Sequence, residues 1–413
     1  MLSHIRIKNF KCIKDLSFSL EYGERKAPNG WKEWDKWPFI EVSATSKKRL
    51  CPCLVLYGAN ASGKTTILTA LHVLMHLVTN GVDKSYFMPN RIVGTNEKTT
   101  TLGIEFWKNR KHFSYEIRYN AESIEDEILH ADNELLFHAS NGLIKLKNTL
   151  IDEAVQKIYQ MRAVNAMTGF QVKTFLETVN EKLPGLSEDI LLARDFIVND
   201  IVVLEGDKSK CDQIRTQSEV LGELAETFVE EGISQREAED KALALIADYM
   251  HRLDFRIENL TIEKLNDDAG LFKTWHKTQS GRMVEFRLSE ESKGTRQLVV
   301  LLGIILTAIR SGKTVIADEL DASLHALLVT ELIRMFKLKT TNTQKAQLIC
   351  TLHNLHVLNS DLLSRSEVGI VDQIGWQGTK VKRIVDDESS RNVDNFLKRY
   401  LAGQYRGIPY PFI

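Results

Sequence analysis

The first third of the chain shows the two-residue period of β-strands. Apolar side chains alternate with polar ones over residues 4–8 and again over 15–20, which predicts two antiparallel strands joined by a short turn. Further strands are predicted at 101–107 and 113–119, and short strand-like pieces continue from 122 to 144.

From about residue 148 the apolar residues recur at helical spacing instead. The windows with this period are 151–158, 170–180, 186–196, 220–228 and one that follows a capping box at 234–237. None of them carries sustained heptads, so a long coiled coil is not expected.

Strand patterns return in the last third of the chain, at 255–264, 271–277 and 283–288. Strand-rich sequence therefore flanks a helical stretch on both sides. We predict an α/β fold that is split in sequence into three parts: an N-terminal lobe, 1–135, a helical insertion or arm, 136–254, and a C-terminal lobe, 255–413.

A glycine-rich loop in the N-terminal lobe carries the strongest chemical signal. Residues 58–65 fit the phosphate-binding pattern G-x-x-x-x-G-K-[ST] without mismatch. The loop follows an unbroken apolar run, 54–57, as expected of a strand buried on both faces, and a helical pattern begins directly after it. A glycine-rich turn that binds nothing is the alternative, and both flanking elements argue against it.

Each residue type in this loop suits a nucleoside triphosphate. Glycines let backbone N–H groups turn toward phosphate oxygens, Lys64 supplies a charge to the β- and γ-phosphates, and the Thr65 hydroxyl can ligate Mg²⁺. The candidate nucleotide contacts are Gly58, Asn60, Ala61, Ser62, Gly63, Lys64, Thr65 and Thr66.

Two later apolar runs end in residues that fit hydrolysis of that nucleotide. Residues 314–317 predict a buried strand that ends in Asp318 and Glu319. Asp318 would hold Mg²⁺, and Glu319 would polarise the attacking water. A second strand, 347–351, ends near His353, which could hydrogen-bond the γ-phosphate or its water. A surface or core histidine without a role is the alternative.

A second anion site is predicted where Ser292 and Gly294 precede a long apolar helix pattern. A hydroxyl, a glycine and a helix N-terminus together favour anion binding. Because one chain does not need two γ-phosphate sites, we expect this site to reach the nucleotide of another subunit. That arrangement predicts a homodimer, or a higher homo-oligomer, formed through the ATP sites.

Composition narrows the class of protein. The 413 residues favour two to three domains, and a net charge of −1 argues against a protein that coats nucleic acid. Five irregularly spaced cysteines do not form a disulfide framework. The longest apolar run, 298–309, is shorter than the roughly 18 residues of a membrane span, and the start does not resemble a signal peptide. We therefore expect a cytoplasmic protein without a membrane segment.

The order of these motifs resembles that of ABC-class ATPases of the SMC, RecF and OLD type. Residues 292–295 resemble the S-x-G-T signature of the branch without transporters, and 351–354 resemble its T-x-H-[DN] switch. Residues 318–325 resemble its DE-[LI]-[DE]-x-x-LH segment, in which Asp321 would be the D-loop residue at the nucleotide. The resemblance implies an ATPase head with ATP and Mg²⁺ as cofactors, and it disfavours a transporter subunit.

The C-terminal residues 398–409 resemble the tail of ATPases from two-gene phage-defence systems, such as the abortive-infection AbiL/RloA group and PARIS, although Arg406 stands where glycine is usual. This likeness implies an ATP-driven switch or scaffold in antiviral defence that controls a separate effector, a nuclease that could be of the TOPRIM type. The stretch after His353 is too short for a TOPRIM domain of its own. The rival function is a DNA-repair or chromosome-maintenance ATPase that clamps DNA.

Overall fold

The computed structural model of the chain describes most of its residues. It covers 1–413 with the exception of 25, 44–45, 92–97, 147–152, 166, 180–185, 205–216, 254–255, 265–269, 323, 392–393 and 409–413. Cys211 and the start of the predicted window 151–158 lie outside the described residues.

Strands and helices are numbered in chain order. The strands of the described residues are β1 (Leu2–Phe10), β2 (Ile13–Ser19), β3 (Ile40–Glu41), β4 (Arg49–Leu50), β5 (Cys53–Tyr57), β6 (Thr100–Lys108), β7 (Lys111–Tyr119), β8 (Ile124–Ala131), β9 (Glu134–Ser140), β10 (Leu143–Leu146), β11 (Ile201–Leu204), β12 (Ile257–Lys264), β13 (Gly270–Lys277), β14 (Met283–Arg287), β15 (Thr314–Ala317), β16 (Gln347–Thr351), β17 (Val368–Gln373) and β18 (Thr379–Arg383). The α-helices are α1 (Lys64–Asn80), α2 (Glu153–Ala163), α3 (Phe175–Thr178), α4 (Glu188–Asn199), α5 (Gln217–Val229), α6 (Gln235–Arg252), α7 (Lys293–Ser311), α8 (Ala326–Lys337) and α9 (Phe396–Leu401).

The strands predicted in the first third of the chain belong to a sheet of seven antiparallel strands in the order β10-β9-β8-β7-β6-β1-β2. The expected pairing of the first two strands is confirmed, with Ile5 opposite Phe18 and Ile7 opposite Leu16. Alternate side chains of β1 and β7 are buried, and they pack with α1 and α4 in one apolar core. The two-residue period in the sequence reflects this one-sided burial.

A second sheet holds the motifs that the sequence singled out. Its order is β11-β15-β16-β5-β17-β18, and it is parallel except for β18. All five residues of β5 are buried, as are those of β15 and β16, which explains their unbroken apolar sequence. The predicted α/β fold class is confirmed, and the carboxyl ends of β5, β15 and β16 lie side by side.

The predicted helical insertion contributes to both sheets. Its strand β10 pairs with β9, and its strand β11, which the periodicity did not indicate, pairs with β15. A four-residue apolar run looks alike in a helix and in a strand, so only tertiary pairing reveals β11. Helices α5 and α6 share a core with α7. The three-part division of the chain stays a prediction, but the described part of this range packs on the two sheets.

Two local expectations for this range differ from the structure. Within the described part of the window 170–180, the one helix is the single turn α3, whose N-cap is Thr174. Ser234 is the N-cap of α6, but its side chain accepts no cap hydrogen bond, so the predicted capping box does not form.

Helix α7 connects the small antiparallel sheet β12-β13-β14 to β15. It contains the longest apolar run of the sequence, and most of its residues are buried inside the fold. Among the described helices, α7 alone has the length and composition to cross a membrane, a criterion that buried core helices also meet.

Candidate nucleotide-binding site

The phosphate-binding loop joins β5 to α1 at the carboxyl edge of the parallel sheet. Gly63 is the N-cap of α1, with a φ of 106° that side chains disfavour. A Cβ on Gly58 would lie 2.2 Å from the carbonyl oxygen of Val371, and one on Gly63 would lie 2.4 Å from Thr379 Oγ1. Thr379 also donates to the carbonyl of Ser62 (3.0 Å). The loop is therefore pressed against β17 and β18, and glycine is required at both positions.

Lys64 is folded into the loop that precedes it. Its side chain is 6% exposed, and Nζ donates to the carbonyls of Gly58 (2.7 Å) and Ala59 (3.1 Å). Burial lowers the pKa of the Lys64 amine below its ordinary value, and the nearby carboxylates that oppose this shift are those of Asp318, Glu319 and Asp321. The amine thus lies in the field of the acidic turn that follows β15.

The other predicted loop residues differ in their exposure. Asn60 and Ala61 are exposed, and so is Thr65 in the first turn of α1, while Ser62 is buried without a hydrogen-bond partner for its hydroxyl. Thr66 Oγ1 accepts from the thiol of Cys12 at 3.4 Å. Thr65 is therefore open to a ligand, whereas Thr66 contacts the turn between β1 and β2.

Thr351 ties the acidic turn to the neighbouring strand. Its hydroxyl donates to Asp318 Oδ1 (2.6 Å) and accepts from the backbone N–H of Glu319 (2.7 Å), and the residue is fully buried. These two bonds fix the direction of the Asp318 carboxylate and hold the backbone of Glu319, whose φ is +49°. Sequence reasoning placed Thr351 in the switch motif but gave it no role.

The predicted base and the predicted histidine meet across the two loops. Glu319 Oε1 lies 3.4 Å from His353 Nε2, and both side chains are about half exposed. A carboxylate and an imidazole at this separation can share a proton, and both can contact the same water molecule. The sheet therefore brings together two groups that are 34 positions apart in the sequence, at the end of adjacent strands.

Asp321 binds the switch loop of its own chain. Its Oδ2 accepts from the backbone N–H groups of His353 (2.9 Å) and Asn354 (2.5 Å), while its buried Oδ1 has no hydrogen-bond partner. The carboxylate therefore positions the loop that carries His353. The nucleotide contact that the family resemblance assigns to Asp321 stays a prediction.

Ser292 and Gly294 lie at the N-terminus of α7, in the position that the sequence predicted. Ser292 is the N-cap, and its Oγ accepts from Thr295 N (3.1 Å) and lies 2.8 Å from Thr295 Oγ1. Ser292 is exposed and Gly294 is half-buried. The hydrogen bonds described for the Ser292 side chain stay within this first turn. In contrast, Asp318, Glu319, Asp321, Thr351 and His353 form one bonded network.

The donor set at the sheet edge fits a nucleotide-bound Mg²⁺. Asp318 is oriented by Thr351, and Thr65 presents a hydroxyl at the start of α1; these two residues would hold the ion together with phosphate oxygens. In the described part of the chain, no group of three or more His, Cys, Asp or Glu residues could hold a metal ion by itself. The N-terminus of α1, which follows Gly63 and carries the exposed Thr65, fits a phosphate chain.

We expect Thr351→Val to lower the rate of ATP hydrolysis by about tenfold or more and to raise the Mg²⁺ concentration required. Loss of a hydrogen-bond partner of a metal ligand commonly lowers metal affinity or activity by roughly 10–100-fold. Thr351→Ser, which keeps the hydroxyl, should retain most activity. The control is Thr307→Val, because the buried Thr307 hydroxyl donates to Gly303 O (2.8 Å) inside α7. Steady-state kinetics at varied Mg²⁺ provide the measurement, and an equal loss in both valine variants would contradict the assignment.

The sequence profile of the AAA ATPase domain family, AAA_15, matches residues 1–358. No curated protein matches the chain. Similar solved structures include the SMC head domain from Thermotoga maritima, with 14% identity, 92% of this chain and 98% of that chain covered and a TM-score of 0.42. A second is the Smc head domain with an extended coiled coil bound to the C-terminal domain of ScpA, from Pyrococcus furiosus. It has 12% identity and a TM-score of 0.47, and the match covers 92% of this chain and 95% of that chain. A third is the Smc head domain with a coiled coil and joint, from Pyrococcus yayanosii. It has 10% identity and a TM-score of 0.46, and the match covers 98% of this chain and 99% of that chain.

Proposed function

This chain belongs to the AAA_15 family of AAA ATPase domains, and from that premise we propose that it is an ATP-hydrolysing switch that closes as a homodimer around ATP and Mg²⁺. The observation that supports this most directly is the meeting of Lys64, Asp318, Glu319 and His353 at one edge of the parallel sheet. That edge joins a phosphate cradle to a candidate general base.

The residues divide the work as follows. Lys64 neutralises charge on the β- and γ-phosphates, and Thr65 and Asp318 hold Mg²⁺. Glu319 accepts the proton of the attacking water, and His353, 3.4 Å from its Oε1, orients that carboxylate. ATP would supply the γ-phosphoryl group that is transferred to water, with ADP as the leaving group, and Mg²⁺ would offset the phosphate charge.

The position of Ser292 supports the proposed dimer. Its helix N-terminus is exposed, and the hydroxyl bonds only its own first turn among the contacts described. In a head-to-tail homodimer this signature segment lies against the nucleotide held by Lys64 of the partner. Each composite site would then take its phosphate loop from one chain and its signature from the other.

Complementation tests this arrangement. Lys64→Ala chains and Ser292→Arg chains should each be inactive alone, and an equimolar mixture should regain ATPase activity because one composite site of each mixed dimer is intact. The measurement is phosphate release from the mixture, with formation of mixed dimers verified by differently tagged chains. If mixed dimers form and activity does not return, the two motifs act within a single chain.

Control of a separate effector in antiviral defence is the finer part of the proposal. It is supported by the resemblance of residues 398–409 to phage-defence ATPases. The effector would be a nuclease encoded apart from this chain. DNA cleavage by the highly purified chain with Mg²⁺ or Mn²⁺ would show that the nuclease is not separate.

Clamping of duplex DNA is the second candidate function. One observation favours it: a cavity of about 630 Å³ between the end of α6 and the β12-β13-β14 sheet is lined by His251, Arg256 and Lys277, with Glu258 as its acidic residue. Basic side chains in a concave surface suit a phosphate backbone. DNA affinity that falls steeply with salt, and falls further in Arg256→Ala, would favour this function, whereas affinity insensitive to salt would rule it out.

A further inference from the structure

The tail segment, residues 396–408, has no role in the scheme above, yet it packs against the nucleotide site. It consists of α9 and the turns that follow. Phe396, Tyr400 and Tyr405 are almost fully buried and belong to the same apolar core as Tyr57, the last residue before the phosphate-binding loop. The tail segment therefore packs in the apolar core next to that loop.

Gly407 of the tail segment and Gly58 of the phosphate-binding loop converge on one carbonyl. A Cβ on Gly407 would lie 2.6 Å from Ile370 Cγ2, 3.2 Å from Val371 O and 3.8 Å from Gly58 Cα. A Cβ on Gly58 would lie 2.2 Å from the same Val371 O. Gly407 also has a φ of +66°, which favours glycine. The two backbones thus touch the end of β17 with no room for side chains.

Tyr400 holds Gly407 in this position. Its buried hydroxyl donates to the carbonyl of Gly407 at 2.9 Å, and its ring lies 6.4 Å from the ring of Tyr57. The Tyr57 hydroxyl in turn donates to the carbonyl of Asn354, in the loop that carries His353. Tyr400 therefore contacts both the entry to the phosphate-binding loop and, through Tyr57, the switch loop.

We propose that the tail segment holds the nucleotide site in its binding geometry, with Tyr400 and Gly407 as positioning residues for the phosphate-binding loop. Lys64 Nζ donates to the Gly58 carbonyl at 2.7 Å, so the place of Gly58 sets the place of the ammonium group. A site that stabilises phosphates depends on groups held in advance in their working geometry. This inference rests on the proposed ATP site. It assigns part of the ATP affinity of that site to residues that lie more than 300 positions after the phosphate-binding loop in the sequence.

The first test is Tyr400→Phe, which removes the hydroxyl and keeps the ring. We expect the Kd for ATP, measured by calorimetry, to rise about fivefold, because the loss of one hydrogen bond disturbs the geometry of the loop. The change in kcat should be smaller. The matched control is Tyr119→Phe, because the equally buried Tyr119 hydroxyl donates to a backbone carbonyl, Tyr86 O (3.0 Å), away from the site. The control should lower the unfolding midpoint to a similar extent and leave the Kd unchanged.

The second test is Gly407→Ala, which places a methyl group against Ile370 and Val371. We expect a rise in the Kd for ATP of about tenfold or more, because β17 or the loop must shift. Gly30→Ala is the control for backbone strain, since Gly30 has a φ of +68° and nothing within 4 Å of an added Cβ. If Gly407→Ala does not fold, Tyr400→Phe decides alone.

Two outcomes are distinguishable. If the wild-type chain does not bind ATP, the proposed function fails before the variants are compared. If the wild type binds ATP and Tyr400→Phe leaves its Kd unchanged, with or without a lower unfolding midpoint, the tail segment is only structural and the inference is overturned.

Discussion

Lys64→Ala is expected to weaken ATP binding by about a hundredfold, because charge-assisted hydrogen bonds of this kind contribute up to ~3 kcal/mol. The side chain is buried in the loop, and its Nζ is the cation nearest to the cradle formed by Gly58 and Ala59. Neither water nor a neighbouring side chain can replace a fixed ammonium group at that point. Calorimetric titration with ATP and Mg²⁺ measures the loss.

A surface lysine provides the control for this variant. Lys241 lies on α6 with a loose ion pair to Glu237 at 3.9 Å, so Lys241→Ala removes the same group without touching the loop. The unfolding midpoint of both variants should be recorded, since Lys64→Ala also frees two carbonyls. ATP affinity that is the same in wild type and Lys64→Ala would remove the basis for the nucleotide site.

Glu319→Gln is expected to keep ATP binding and to slow hydrolysis by about a hundredfold or more, within the range for loss of a general base. The amide has the shape of the carboxylate but cannot accept the proton of the attacking water. ATP should then remain bound long enough to hold the dimer together. Single-turnover hydrolysis and size-exclusion chromatography with ATP measure the two effects.

Glu331→Gln is the matched control, because Glu331 is an exposed carboxylate on α8 that pairs only with Arg334 one turn away among the ion pairs described. It should hydrolyse ATP at the wild-type rate. If Glu319→Gln does the same, the base lies elsewhere, and the next candidate is His353, whose Nε2 lies 3.4 Å from Glu319.

The loops that follow β15 and β16 are joined to each other by several hydrogen bonds. Thr351 bonds Asp318 and Glu319, and Asp321 bonds the backbone of His353 and Asn354, so each loop holds the other. If the γ-phosphate binds at one loop as proposed, these bonds would carry a change there to the other loop. This linkage suits a switch whose state depends on the bound nucleotide.

The sequence by itself determined the local elements of the site. The two short strands were predicted at 314–317 and 347–351, and the structure has β15 and β16 at those residues. Strands buried on both faces need an unbroken apolar run, and a phosphate-binding loop needs its glycines and lysine at fixed spacing, so both leave a local trace. Ser292 was likewise predicted at the start of a helix, because capping is a local interaction.

The tertiary structure alone decided how these elements meet. The order of the parallel sheet places β16 between β15 and β5, and from this order come the contacts of Thr351 with Asp318 and of His353 with Glu319. The strand β11 and the packing of Gly407 on Gly58 were also beyond the reach of the sequence pattern. Such contacts join residues that are distant in the chain, and they depend on which apolar surfaces cover each other during folding. The hydrophobic period of a segment indicates which of its faces is buried, but it does not indicate which other segment covers that face.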